Sequence, residues 1–343
     1  MRISETRETV SRGLLDFAWR QWSQIGISAG AGGDDAWAVD PEALVLFTIG
    51  VGRGDPRLFD EMLDWIALNQ RILSLQRLRN LTPRFPVNAE LVAAVTAWAK
   101  DPPADVLTIH QDAGGTREEP EAQGGQQRPV FKPGVLGFVS RPDPVFTEHG
   151  YLRPRVVRSG KSRSPDLRRR AAFAFRLRHL FGPGTRSEVM RILLTYADGP
   201  LDAARIADEA AFAKRNASEA LTALAASGAI TATWWGNERH FRAPREAWQE
   251  LLGMDETPRF VSWVHLLPVA LEIATWLDEH DDATTSEYLL ASQARSLMDK
   301  VSRDLQTAGI TIPDRPPTQG EAYLPVFAAA SDTILASLGI TGR

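Results

Sequence analysis

The chain of 343 residues contains no cysteine, which excludes a disulfide framework, thiolate zinc sites, Fe–S clusters and a cysteine nucleophile. Lysine is scarce too: 34 of the 39 basic residues are Arg, a bias that fits a GC-rich genome and carries no functional message alone. Long apolar runs are missing. The most apolar stretch, residues 261–277, carries His265, Pro268 and Glu272 and falls short of the roughly 20 apolar residues that span a bilayer. The opening residues lack a basic region followed by an apolar one, so no secretion signal is expected. These absences predict a soluble, cytoplasmic protein without a membrane partner.

Catalytic signatures are equally absent. No H-E-x-x-H, G-x-S-x-G, Walker A or S-x-x-K pattern suited to catalysis occurs. Gly50, Gly52 and Gly54 follow an apolar run, but Asp55 stands where a dinucleotide fingerprint needs glycine or alanine. The segment reads as a connection between two helices. The six His, at 110, 149, 179, 240, 265 and 280, show no ligand spacing. His280 beside Asp281 and Asp282 reads as a solvated helix end, and Asp34-Asp35 as a turn in a glycine loop. We therefore expect no metal, no cofactor and no enzyme.

What is present is an ordinary globular balance, 43% apolar and 24% charged, with ten Trp and fourteen Phe to fill a core. The length suits about two to three domains. Helical spacing runs through residues 5–25 and 41–99, where Asp40-Pro41 and Asp55-Pro56 each set a capping carboxylate before a Pro at the first helical position. DAGGTREEPEAQGGQQR, residues 112–128, has no apolar periodicity and reads as a linker. VFTEHGYLRPRVV suggests a hairpin, residues 171–181 a helix, and three helices follow after residue 255. The expected class is mainly α. It divides into a helical N-terminal domain (1–110), a flexible linker (111–134), a basic connector (135–184), a central unit (185–250) and a helical C-terminal region (255–343).

Charge is unevenly spread. Residues 151–245 hold 18 Lys/Arg against 8 Asp/Glu, whereas residues 1–150 hold 15 against 20 and residues 246–343 hold 6 against 15. A basic middle between acidic flanks suits either a polyanion-binding module or a solvated Arg-rich surface. The Arg-rich tract 151–178 admits both readings, a second DNA contact or a linker.

Residues 185–245 form one legible unit. TRSEVMRILLTYAD has Thr185 as a candidate N-cap and Glu188 three residues on, and Asp198-Gly199-Pro200 breaks that helix. A short helix over 201–211 and a third over 214–227 follow, with Gly228 past its end. AITATWW and RHFRA then flank a Gly-Asn turn, a β-hairpin signal. Trp234 and Trp235 adjoin on one strand, so one is expected in the core and one outside it.

Three helices and a hairpin make a winged helix-turn-helix. LDAARIADEAAFAKRNASEALTALAASGAI followed by WWGNERHFRA resembles the winged-helix regulators of the broad MarR/ArsR type. That resemblance covers about 60 residues. It implies a third helix in the major groove of double-stranded DNA, with Lys214, Arg215, Asn216, Ser218, Glu219 and Thr222 facing base edges. It puts the wing residues Asn237, Glu238, Arg239 and His240 on the flanking backbone or minor groove, and makes Arg186, Arg191 and Arg205 candidates for phosphate contacts. Ala213 departs from the Ser or Thr that many recognition helices have as a cap. The implied protein is a bacterial transcriptional regulator and a homodimer, with a small-molecule or protein effector. The stripe Trp263, Leu266, Leu267, Ala270, Ile273, Ala274 and Leu277 is either core or the dimer contact. QRLRN, residues 76–80, suggests a second, degenerate helix-turn-helix. Two alternatives stand: a protein-docking winged helix in an antitoxin-like or adaptor protein, and an enzyme of unrecognised type in the first 150 residues.

Overall fold

The structure is a computed structural model that describes residues 3–28, 36–101, 127–280, 285–312 and 320–340. It is mainly α-helical. The first helix is α1 (Ile3–Gln24). Next come α2 (Pro41–Val51) and α3 (Pro56–Asn69), which start at the expected caps: Asp40 accepts from the Ala43 amide at 3.2 Å and Asp55 from that of Leu58 at 3.1 Å. A single 3-10 turn, Gly52–Gly54, joins the two, so the glycine run is the connection that the sequence suggested. Ser74 and Asn88 cap α4 (Leu75–Leu81) and α5 (Ala89–Lys100).

The connector differs from expectation. Most of the linker lies outside the described residues. Beyond it, β1 (Arg128–Pro129) pairs in parallel with β2 (Tyr151–Leu152), and α6 (Pro144–Glu148) precedes β2. No hairpin forms over 145–157, because Asp143 caps α6 by accepting from Val145 and Phe146. The tract 151–163 lies along α3 instead: Arg153 reaches Asp60, Arg158 bonds Asp64 at 2.8 Å, and Ser159 bonds Glu61 at 2.9 Å. The Arg-rich tract is thus not a free linker over those residues, and Arg153 and Arg158 are spent on α3 while Arg155, Lys161 and Arg163 stay exposed.

Residues 173–252 build a second cluster. It holds α7 (Phe173–Phe181), α8 (Thr185–Thr195), β3 (Leu201–Asp202), α9 (Ala203–Ala210), α10 (Lys214–Ala226), β4 (Thr231–Trp235), β5 (Glu238–Arg242) and α11 (Arg245–Leu252). The strands form one antiparallel sheet ordered β3-β5-β4, with Leu201 opposite Phe241. Its core joins Val189, Ile192, Leu193, Ile206, Leu221, Leu224, Phe241 and Trp248. Two local expectations are corrected. Gly184, not Thr185, is the N-cap of α8, where Ser187 completes the cap, and Leu201 lies in a strand rather than in the second helix.

The chain returns to the first core with α12 (Trp263–Glu279), α13 (Glu287–Thr307) and α14 (Tyr323–Ser337). The expected division between an N-terminal domain and a C-terminal region therefore fails. Their helices share one hydrophobic cluster, in which α1 packs on α12 and α14, and α2 on α12. Phe17 meets Phe47 and Trp263, and the Trp263 indole donates to the Ala38 carbonyl at 2.9 Å. Periodicity predicts that a face is buried but not what covers it. The α12 stripe from Trp263 to Leu277 is spent in this core, which removes it as the dimer contact. Among the described residues no helix is long and apolar enough to cross a membrane.

Candidate nucleic-acid interface

The turn between α9 and α10 sets the exposed helix. Asp202 caps α9 by accepting from the amides of Ala204 and Arg205 at 2.7 and 2.9 Å. Ala211 ends it in the left-handed region, φ +54°, the only described non-glycine residue with positive φ. That geometry strains an alanine. It turns the chain sharply enough for α10 to begin three residues later. Ala217, Ala220, Leu221 and Leu224 then face inward.

Lys214, Arg215, Asn216, Glu219 and Thr222 are exposed on the other side, and Ser218 is half-buried. The α10 N-cap Ala213 provides no side-chain hydrogen bond. Two cations in an uncapped first turn oppose the helix dipole unless an anion is near. The Arg215 Nε bonds the Glu219 carboxylate at 2.9 Å with 88% of the Arg side chain exposed, so both Nη groups remain available as a fork.

The hairpin lies beside this helix. Gly236 takes φ +60° and Asn237 a negative φ, the type II′ pattern that suits a two-residue hairpin turn. A groove of about 280 Å³ brings Lys214, Ser218 and Thr222 of α10 together with Glu238 and Arg239 of β5. Asn237 is exposed at the tip, and His240 packs edge-on against Trp235, centroids 5.4 Å apart. The expectation that one tryptophan is buried fails. Trp234 and Trp235 are both 71% exposed, because β4 is an edge strand whose tip runs past the core.

Of the three arginines assigned to phosphate, only Arg186 is exposed. Arg191 is buried in a six-charge cluster at the seam between the two cores. Asp40, Glu42 and Glu188 there balance Arg77, Arg178 and Arg191, all with side chains at most 5% exposed. Arg77 clamps Asp40 with both Nη groups, bonds Glu42 at 3.0 Å and donates from Nε to the Ala210 carbonyl at 2.9 Å. Arg178 reaches Glu42 and Glu188, each at 2.7 Å. Burial raises the carboxyl pKa of Asp40 and of Glu188, but the surrounding guanidiniums outweigh it and hold both below the carboxylate range. Arg191 is removed from any DNA contact for this reason.

Arg205 is turned away from the α10 groove, toward Glu209 at 3.1 Å and the Thr307 carbonyl at 2.8 Å. It belongs to a second polar junction, where His265 of α12 lies between Asp208 of α9 at 2.8 Å and Asp304 of α13 at 2.7 Å. Burial lowers the His265 pKa, but these two bonds outweigh it and raise the imidazole above its ordinary value. α4 and the 3-10 turn after it support the same junction: Asn80 donates to the Ala211 carbonyl at 2.9 Å and Arg84 pairs with Asp208 at 2.9 Å. Arg77 and Asn80 of the suggested second helix-turn-helix are thus engaged within the molecule, while Gln76 and Arg79 stay exposed.

Sequence reading missed both junctions. The charge asymmetry signals only part of the first, where Asp40 and Glu42 meet Arg191 and Arg178; Arg77 with Glu188, and Arg84 with Asp208 at the second, run against it. Among the described residues no group of three or more His, Asp or Glu is placed to hold a metal. Comparison with protein-family models, curated proteins and solved structures finds no match.

Proposed function

We propose that residues 185–245 are a winged helix-turn-helix that binds double-stranded DNA. In this reading α10 enters the major groove, the β4–β5 hairpin is the wing, and the protein is a transcriptional regulator. The observation that carries it is the shared groove of α10 and β5, which gathers Lys214, Ser218, Thr222 and Arg239 beside the exposed Arg215 and Asn216. The order of three helices and a hairpin supports it, as does the uncapped cationic start of α10. The two free Nη groups of Arg215 suit guanine and the Asn216 amide suits adenine. Two recognition helices about one helical turn apart would read a palindrome, which makes a homodimer the expected state.

Fluorescence anisotropy tests this with the duplex upstream of the protein's own gene and a shuffled duplex, both near physiological salt. Wild type should prefer the native duplex. Arg215→Ala/Asn216→Ala should lose about 1–3 kcal/mol of discrimination for each base pair read. Equal, weak binding of both duplexes by both proteins would sink the regulator reading. The exposed Trp234 and Trp235 favour a second reading, in which the hairpin docks an antitoxin-like or adaptor partner. That reading expects a partner to co-purify at high salt and to be lost from Trp234→Ala/Trp235→Ala.

A further inference from the structure

The junction around His265 opens into a cleft of about 710 Å³ whose polar lining is Arg84, Arg205, Asp208, His265, Arg303 and Asp304. That volume lies within the range of small-molecule sites. Three guanidiniums from separate elements share it, and their donors outnumber the acceptors present. Arg205 uses only Nη2, which leaves its Nε and Nη1 without an acceptor. Arg84 uses Nη1 and Nη2 on Asp208 and leaves Nε. Arg303 is exposed and forms no hydrogen bond or ion pair.

The acids nearby are already engaged. Asp208 and Asp304 each hydrogen-bond a ring nitrogen of His265, both accepting when the ring is an imidazolium, and Glu209 accepts from Ser262 at 2.8 Å and pairs with Arg205. The lining still holds three guanidiniums against the two carboxylates of Asp208 and Asp304, and the planar forks of the arginines match the oxygens of a phosphate. Val264, Pro268 and Ala204 supply an apolar wall, and the volume exceeds what a bare phosphate fills. We propose that this cleft binds a phosphorylated small molecule, its phosphate held by Arg84, Arg205 and Arg303 and its remainder resting on that wall. Arg84 also holds the α9 carbonyl of Asp208, so the bound anion shares side chains that seat the α9–α10 turn.

Inorganic phosphate is the probe, and the measurement is thermal unfolding of the full chain without DNA. It therefore succeeds or fails independently of the DNA reading. At 10 mM phosphate, against chloride of equal ionic strength, wild type should gain about 2 °C in Tm. Arg303→Ala should lose that gain, and because Arg303 touches no partner its fold is not at risk. Arg71→Ala, another exposed arginine without a partner, should keep the gain. No gain in wild type, or the same gain in Arg303→Ala, overturns the site.

Discussion

Glu188 shows how much one side chain can hold. It meets Arg178 at 2.7 Å and Arg191 at 2.8 Å inside a buried cluster, so its removal leaves buried cations without a counter-charge. Breaking such a pair costs about 3–5 kcal/mol. Glu188→Ala should lower the urea midpoint accordingly, while an exposed control such as Arg215→Ala should leave it within about 0.5 kcal/mol of wild type. The pH dependence has two limbs of opposite sign. Asp40 and Glu188 titrate lower when folded than when unfolded, so their contribution is complete above the ordinary Glu value of 4.5 and is lost as pH falls below it. His265 titrates higher when folded, so its contribution is complete below the ordinary value of 6.5 and is lost as pH rises through the folded value. Urea midpoints across pH 3–9 should trace both limbs. His265→Gln should flatten only the alkaline one.

Elements were legible where their causes are local. Asp40, Asp55, Ser74 and Asn88 cap their helices because the carboxylate, hydroxyl or amide meets amides two or three residues on. Where the cause is distant, sequence reasoning failed. Leu201 belongs to a strand only because Phe241 lies opposite, and β2 exists only because residues 128–129 return to it. The exposed face of α10 was legible from its own period, but the fates of Arg191 and Arg205 were not, because Asp40 and Thr307 are far away in the chain. Ala211 makes the element-scale prediction. Its φ of +54° costs an L-residue about 1–2 kcal/mol, whereas its buried methyl returns about 0.8. Ala211→Gly should stay within about 1 kcal/mol of wild type. Ala211→Val should lose at least about 2 kcal/mol, since a branched Cβ fits neither the turn nor the space. Chemical denaturation would read both.

At the scale of the molecule, the segment 185–245 is joined to the helical body through charge. Glu188 and Arg191 of α8 share the cluster with Asp40, Glu42 and Arg77, and His265 ties α9 to α12 and α13. A fragment limited to residues 185–250 would leave Glu188 and Arg191 without Asp40, Arg77 and Arg178. Circular dichroism should show no cooperative melt for it, whereas the full chain melts cooperatively; a sharp transition in the fragment would refute this dependence. The charge asymmetry, legible from the sequence, records part of that join, where Asp40 and Glu42 meet Arg191 and Arg178. The shared core of α1, α12 and α14 has a consequence in time. Phe17 and Trp22 of α1 meet Phe47 and Thr48 of α2 nearby in the chain, whereas Arg20 donates to the Leu338 and Gly339 carbonyls and Gly13 lies against Ile340, some three hundred residues on. While the ribosome works, the part of the α1 face that α14 covers waits exposed, and such transiently uncovered apolar surface is where a nascent chain is prone to associate wrongly.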